Sequence, residues 1–135
     1  MQAASSSFSN GDDVHLWGGC SNSGPQKNRL WHHDANSLRI INVADPSYCM
    51  HKKTSGYTVG DNIHMWKCDS GADENKKWTY NAKGDNLIRS SGNDNYCIVR
   101  AGNGNGDSIT LGKCDPNDQN QRWRITAWGN GNDCC

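Results

Sequence analysis

The chain is 135 residues long, with 14 basic and 14 acidic residues and a formal net charge of +0. That balance removes the basic footprint of a nucleic-acid binder, and no basic block or amphipathic basic stretch argues for a membrane surface. Disorder is excluded too, because six Trp and four Tyr on a neutral chain supply aromatic area that disordered segments lack.

The length suits one domain, 1–135, with a modest core that wants covalent staples. No apolar run approaches a membrane span, so membrane insertion is not expected. The opening MQAASSSFSNGD lacks the basic and apolar regions of a signal peptide. None of the seven Cys forms a Cys-x-x-Cys pair, so zinc sites of the usual spacing are not supported. Cys49 with Cys68, and Cys97 with Cys114, recur as a Cys just past a Tyr followed by a second Cys. Both pairs read as disulfides, each closing a short loop and adding about 3 kcal/mol in the chain-entropy picture. Disulfides imply a secreted, oxidising location; seven reduced, buried thiols are the alternative.

In chain order, residues 1–13 form a loop or short strand that carries Phe8 into a Gly-Asp turn at Gly11. Val14-His15-Leu16-Trp17 alternates with period two, which puts Val14 and Leu16 on one strand face, His15 and Trp17 on the other. Cys20 to Lys27 is turn chemistry around Pro25. Trp31 and an apolar strand, Leu38-Arg39-Ile40-Ile41, follow, then a turn at Asp45-Pro46-Ser47 and a new strand at Tyr48-Cys49-Met50. The same text returns as Gly60-Asp61, Ile63-His64-Met65-Trp66, Cys68 and Trp78. Leu87-Ile88-Arg89 then matches Leu38-Arg39-Ile40, and Tyr96-Cys97-Ile98 matches Tyr48-Cys49-Met50. A third copy runs through Gly106-Asp107, Ile109-Thr110-Leu111, Cys114 and Trp123. No stretch has helical periodicity, and Gly, Asn and Asp punctuate the chain at strand-length intervals, the pattern of an all-β sandwich or barrel. A propeller blade has a similar repeat length, but three blades do not close a ring. Three four-stranded units closing on one another fit better, with repeats near 1–48, 49–96 and 97–135.

Repeats of this form, with Asn120-Gln121-Arg122-Trp123 as the fullest closing motif, resemble the ricin B-type (R-type, Q-x-W) lectins. The resemblance covers nearly the whole chain and implies a β-trefoil of three pseudo-symmetric units. It also implies a carbohydrate-binding lectin, with glycans or glycoproteins as partners, galactose or N-acetylgalactosamine-type ligands, no cofactor and no catalysis. In that family a repeat builds its sugar site from three parts. An Asp two residues after the first Cys and an Asn beside the Q-x-W hydrogen-bond the sugar, and an aromatic at the strand end stacks on it. By position, the second repeat offers His51, Trp66 and Asn75. The first offers Gln2, Trp17 and Asn28, with Gln2 placed by counting back from His51. The third offers Val99, Gly112 and Asn120; lacking aromatic and polar partner, it is expected to be structural. No copy has the family's Asp, and the Gln of Q-x-W becomes Arg29 and Lys76 in the first two copies. A carboxylate accepts paired hydroxyl hydrogen bonds, whereas a His accepts one at most and a Gln amide has one acceptor oxygen. The sugar preference should therefore depart from the family's.

Other readings of the same residues compete with these. Trp17 and Trp66 are stacking platforms or side chains packed beneath a loop, while Trp31, Trp78 and Trp123 are expected to anchor the core. His15 and His64, facing away from the apolar positions, are expected at the surface. His32-His33 lacks a third ligand for a metal. Gly102 to Gly106 lies between strands with no helix behind it, so it is a turn rather than a phosphate loop. Asp115, Asn117 and Asp118 lack the Gly and distal Glu of an EF-hand. The rival function is a non-lectin β-trefoil acting on a protein through its loops, as a protease inhibitor or toxin component. Finally, counting back by one repeat puts the partner of Cys20 just before Met1. A closed trefoil brings its ends together, so Cys20–Cys135 is expected, with Cys134 as the alternative partner, in a circularly shifted trefoil. The seventh Cys would be free or would join two chains as a dimer.

Overall fold

A computed structural model describes residues 1–3, 7–18, 27–71 and 73–124. The strands are β1 (Gln2–Ala3), β2 (Val14–His15), β3 (Trp31–Asp34), β4 (Arg39–Asn42) and β5 (Tyr48–Lys52). They continue as β6 (Ile63–Lys67), β7 (Trp78–Tyr80), β8 (Ile88–Ser90), β9 (Asn93–Arg100) and β10 (Ile109–Lys113). Single 3-10 turns at Lys27–Arg29, Asp73–Lys76 and Gln119–Gln121 precede the three repeat Trp residues. All ladders are antiparallel: β1 pairs with β2, β3-β4-β5-β6 form one sheet, and β10-β9-β8-β7 form another.

The three Gly-Asp turns explain why the repeats close on one another. Gly11, Gly60 and Gly106 have φ of 96°, 93° and 88°, a region that a side chain disfavours. In that conformation Gly11 N–H donates to Met65 O (2.9 Å), Gly60 N–H to Leu111 O (2.8 Å) and Gly106 N–H to Leu16 O (2.9 Å). The reverse bonds run from Met65 N–H to Asp12 O, Leu111 N–H to Asp61 O and Leu16 N–H to Asp107 O, at 2.7, 2.8 and 2.8 Å. The first repeat thus holds the second, the second the third, and the third the first. This ring of three hairpins is the barrel of a β-trefoil.

The core is written in the same register three times. Val14, Ile63 and Ile109 are buried, and so are Met65 and Leu111, with Leu16 packed against them. Trp78 is fully buried, and Trp31 and Trp123 pack on the core partly exposed. Each indole N–H reaches the carbonyl at the same point of a first strand: Trp31 to Met1 O, Trp78 to Met50 O, Trp123 to Ile98 O, at 3.0, 3.0 and 3.1 Å. These bonds make Met1, Met50 and Ile98 equivalent, so Gln2, His51 and Val99 share one place, as counting back predicted. The first strand of the first repeat comes from Gln2–Ala3.

The expected disulfides Cys49–Cys68 and Cys97–Cys114 are both formed. Cys20, Cys134 and Cys135, and with them the Cys20–Cys135 pairing and the circular shift it implies, lie outside the described residues.

Two expectations need correction. Leu87-Ile88-Arg89 corresponds to Arg39-Ile40-Ile41, not to Leu38-Arg39-Ile40. The ladders set Trp31 opposite Asn42 and Trp78 opposite Ser90, and Leu38 O and Asn86 O accept the equivalent Trp78 and Trp123 N–H groups. Leu38 is a turn residue at φ 59°, matched by Asn86 at φ 62°. His64, expected at the surface, is only 7% exposed. The outer face of β5 and β6 lies under the disulfide-tied segment that follows β6, whose Gly71 abuts the edge of the Trp66 indole.

Candidate functional site

Strands β5 and β6 set Cys49 opposite Trp66 and His51 opposite His64, with Met50 and Met65 on the inner face. The period of two therefore gathers His51, His64 and Trp66 on the outer face. His51 Nδ1 lies 2.8 Å from His64 Nε2, the two rings being within 17° of parallel. The His51 ring also lies along the Trp66 indole, with centroids 5.2 Å apart and planes 25° apart. A sugar ring between them would need about twice the 3.5–4.0 Å carbon contact distance, so the face of Trp66 toward His51 is already taken. Ligand stacking falls to the remaining exposed surface of Trp66.

Asn75 is 7% exposed and lies in the 3-10 turn Asp73–Lys76, which packs against β5. Its amide forms no hydrogen bond with the described residues, and neither does His51 Nε2 or His64 Nδ1. None of these atoms is among the sealed, partnerless ones, so each opens to solvent. Side chains more than nine-tenths buried with open, unpaired polar atoms are the few fixed polar groups of a small-ligand site.

Burial, the neighbouring His64 and the Lys76 and Lys52 ammonium groups push the His51 pKa down to about 4. Burial likewise lowers that of His64, against the pull of Asp13. Both rings are neutral at pH 7, so one donates its N–H to the other.

Lys76 stands in the place of the Gln of Q-x-W and is 1% exposed. Its ammonium donates to Cys68 O at 3.2 Å and to Ser70 O. In the third repeat Gln121 stands in the same place and uses both ends of its amide. Its Nε2 donates to Lys113 O (2.8 Å), and its Oε1 accepts from Asp115 N–H (3.0 Å). Gln121 ties its 3-10 turn to the last residue of β10, whereas Lys76 ties its turn to Cys68 and the residues just after it, one position further along. Sequence reasoning missed His64 and the buried amine of Lys76. The signal for His64 was present, since in an antiparallel hairpin His64 falls opposite the site position His51.

The first repeat places Gln2 opposite His15, the equivalent of the His51–His64 pair. Gln2 Oε1 is buried without a partner. Trp17 is 44% exposed, with its ring 5.7 Å from that of His15. Asn28 Nδ2 donates weakly to Ala3 O at 3.4 Å. Gln2, Trp17 and Asn28 thus belong to one hairpin region.

In the third repeat Val99 packs into the space a side chain on Gly112 would need, while Asn120 accepts from Arg100 at 3.3 Å. The third repeat thus lacks the aromatic at this place, and its Asn120 oxygen is engaged. Gly104 N–H donates to Asp107 Oδ2, and Asp115 and Asp118 accept the Asn117 and Asn120 N–H groups, so those acidic and Gly-rich stretches are turns. Among the described residues no group of three or more metal-ligating side chains occurs, and no helix is long and apolar enough to cross a membrane.

Threefold closure, Trp pillars and an outer-face group on each of two hairpins define a β-trefoil of lectin type. The ricin-type β-trefoil lectin domain matches residues 2–123, and the chain belongs to that family. Among solved structures it is similar to "Agglutinin from Abrus Precatorius", at a TM-score of 0.76 and 20% sequence identity. The alignment covers 91% of this chain and 42% of that one, so the chain spans well under half of its neighbour's length. No curated protein matches the sequence.

Proposed function

We propose that this protein is a secreted, non-catalytic lectin that binds glycans or glycoproteins. Its sites are shallow ones in the first and second repeats of a single domain. The carrying observation is the second-repeat group, where His51 and Asn75 are more than nine-tenths buried yet present open, unpaired polar atoms beside a partly exposed Trp66. Gln2, Trp17 and Asn28 are the corresponding groups of the first repeat. The two disulfides favour an oxidising location. Without the family's Asp, paired hydroxyls lose their bidentate acceptor, which favours a preference other than simple galactosides. Two sites on one body give avidity on clustered glycans at modest single-site affinity.

A glycan array, followed by titration calorimetry on the best ligand, tests this reading. Trp66→Ala should weaken binding about tenfold, since an aromatic contact is worth roughly 1.5 kcal/mol. Trp17→Ala should do so independently. Binding to no glycan, with capture of a protein partner instead, would replace this reading with the inhibitor or toxin-component one.

A further inference from the structure

The His51–His64 pair is more than a replacement for one acceptor. Each imidazole has two nitrogens, and the 2.8 Å contact uses one from each ring. A neutral pair holds two protons. One is shared between the rings, and the other sits on an outer nitrogen, whichever tautomer is chosen. The ligand-facing atoms, His51 Nε2 and His64 Nδ1, are then one acceptor and one donor. A pair that has gained a single proton keeps the shared N–H···N bond, but both outer nitrogens become donors and the unit carries a positive charge.

We propose that His51 and His64 bind ligand as one unit with His64 as a specificity-determining residue, so that gain of a proton exchanges neutral glycans for anionic ones. The inference rests on the carbohydrate reading above. A neutral sugar places hydroxyl donors against the acceptor nitrogen, and protonation removes that acceptor. A sulfate or carboxylate oxygen can only accept, so it is served by one nitrogen of the neutral pair and by both of the charged pair.

The charges around the pair set the window. The charges of Lys52 on β5 and Lys76 on the 3-10 turn act on His51, while those of Lys53 after β5 and Asp13 before β2 act on His64. Burial first, and then three ammonium groups against one carboxylate, hold the pair neutral at pH 7. An anion bound at the outer nitrogens raises the pair's proton affinity, and by reciprocity acidification raises affinity for the anion. The carboxylates of the turn do not compete for the pair, since Asp73 is engaged by Arg39 and Lys77, and Glu74 by Lys77.

The test uses the full chain carrying Trp17→Ala, which leaves the second repeat as the site observed. Binding is measured at pH 7 and pH 4.5 to an array of neutral galactosides and N-acetylhexosamine glycans and to their 6-O-sulfated counterparts. Sulfate esters stay ionised throughout, so only the protein titrates. The ratio of sulfated to neutral affinity should rise about tenfold on acidification, as a charge-assisted bond replaces a neutral one. His64→Gln keeps a hydrogen-bonding partner for His51 but removes the second titrating ring. It should abolish most of that rise while leaving the melting temperature at pH 7 near that of the Trp17→Ala parent. In the parent, proton and nitrogen NMR of the two imidazoles should show the first proton taken up with the shared N–H retained. A ratio independent of pH, or a His64→Gln profile like the parent's, overturns the proposal while leaving the lectin reading standing. No binding to any probe at either pH overturns both.

Discussion

Lys76→Gln should stabilise the protein, although it removes an ammonium group that makes two hydrogen bonds. Gln121 shows what the amide does in this place: one end donates to the strand carbonyl, and the other accepts the backbone N–H two residues further on. At Lys76 the ammonium reaches Cys68 O and Ser70 O rather than the strand carbonyl of Lys67, a lysine has no acceptor, and Asp69 N–H has no partner among the described residues. The substitution exchanges the bonds to Cys68 O and Ser70 O for ones to Lys67 O and Asp69 N–H, and ends the burial of a charge. Burial already lowers the pKa of Lys76, which shows that the folded site disfavours its charged form. One bond to an otherwise unpaired group is worth about 1 kcal/mol, or roughly 4 °C in Tm for a chain of this size. Thermal melting by circular dichroism at pH 7 gives the comparison. Lys76→Met, which leaves both carbonyls bare, should instead cost about 1–3 kcal/mol. The expected order of Tm is Gln, then Lys, then Met; a Gln variant melting below wild type would refute the equivalence of Lys76 and Gln121.

Three further outcomes follow from the same structure. Leu38→Asn should raise stability by about 1 kcal/mol, because a left-handed backbone penalises a Leu side chain and Asn86 already occupies the equivalent turn; urea unfolding should show a higher midpoint at unchanged slope. Arg89, nearly buried and bidentate on Asp85, should cost about 3 kcal/mol as Arg89→Ala, and Arg89→Met paired with Asp85→Ala should recover most of it in the same urea assay. Acid should act in two stages. The lowered pKa values of His51 and His64 mean that the unfolded chain takes protons first below 6.5, so their contribution is intact above that pH and is lost toward about 4. Asp73 and Asp85, held near 2 by Arg39 with Lys77 and by Arg89, lose theirs only below their ordinary 3.8. His51→Gln with His64→Gln should flatten the first stage of a stability–pH curve and spare the second.

What the sequence made legible was whatever the three copies share. Gly-Asp turns, inward apolar pairs and Trp pillars recur because threefold backbone contacts demand the same residue types at the same places, while the Tyr-Cys strand starts are shared by the second and third copies. The match of Leu87 to Leu38 failed because the turn from β7 to β8 is longer than the one from β3 to β4, so chemical similarity suggested an alignment one residue away from the ladder. The burial of His64 was hidden for a different reason. Strand alternation tells which side of a sheet a residue faces, not whether a loop from elsewhere in the repeat lies over that side. Lys76 gave no warning either, because a lysine in a polar motif reads as solvated until its amine is seen to bind carbonyls. The site therefore departs from the family pattern at the positions where copies differ from one another, and repeat logic has least to say there.

The ring of backbone bonds has a consequence for how the chain reaches its final form. Leu16 takes its partners from Gly106 and Asp107, so the end of the first hairpin is completed only by residues of the third repeat. Until the third repeat arrives, the β2 segment exposes an unpaired edge, and contacts of such sequence separation slow folding. The third repeat, with Val99 and Gly112 where the second has His51 and Trp66, is in this sense the clasp of the molecule. It was free to lose its binding groups but not its backbone, and a lesion there should unfasten sites that it never touches.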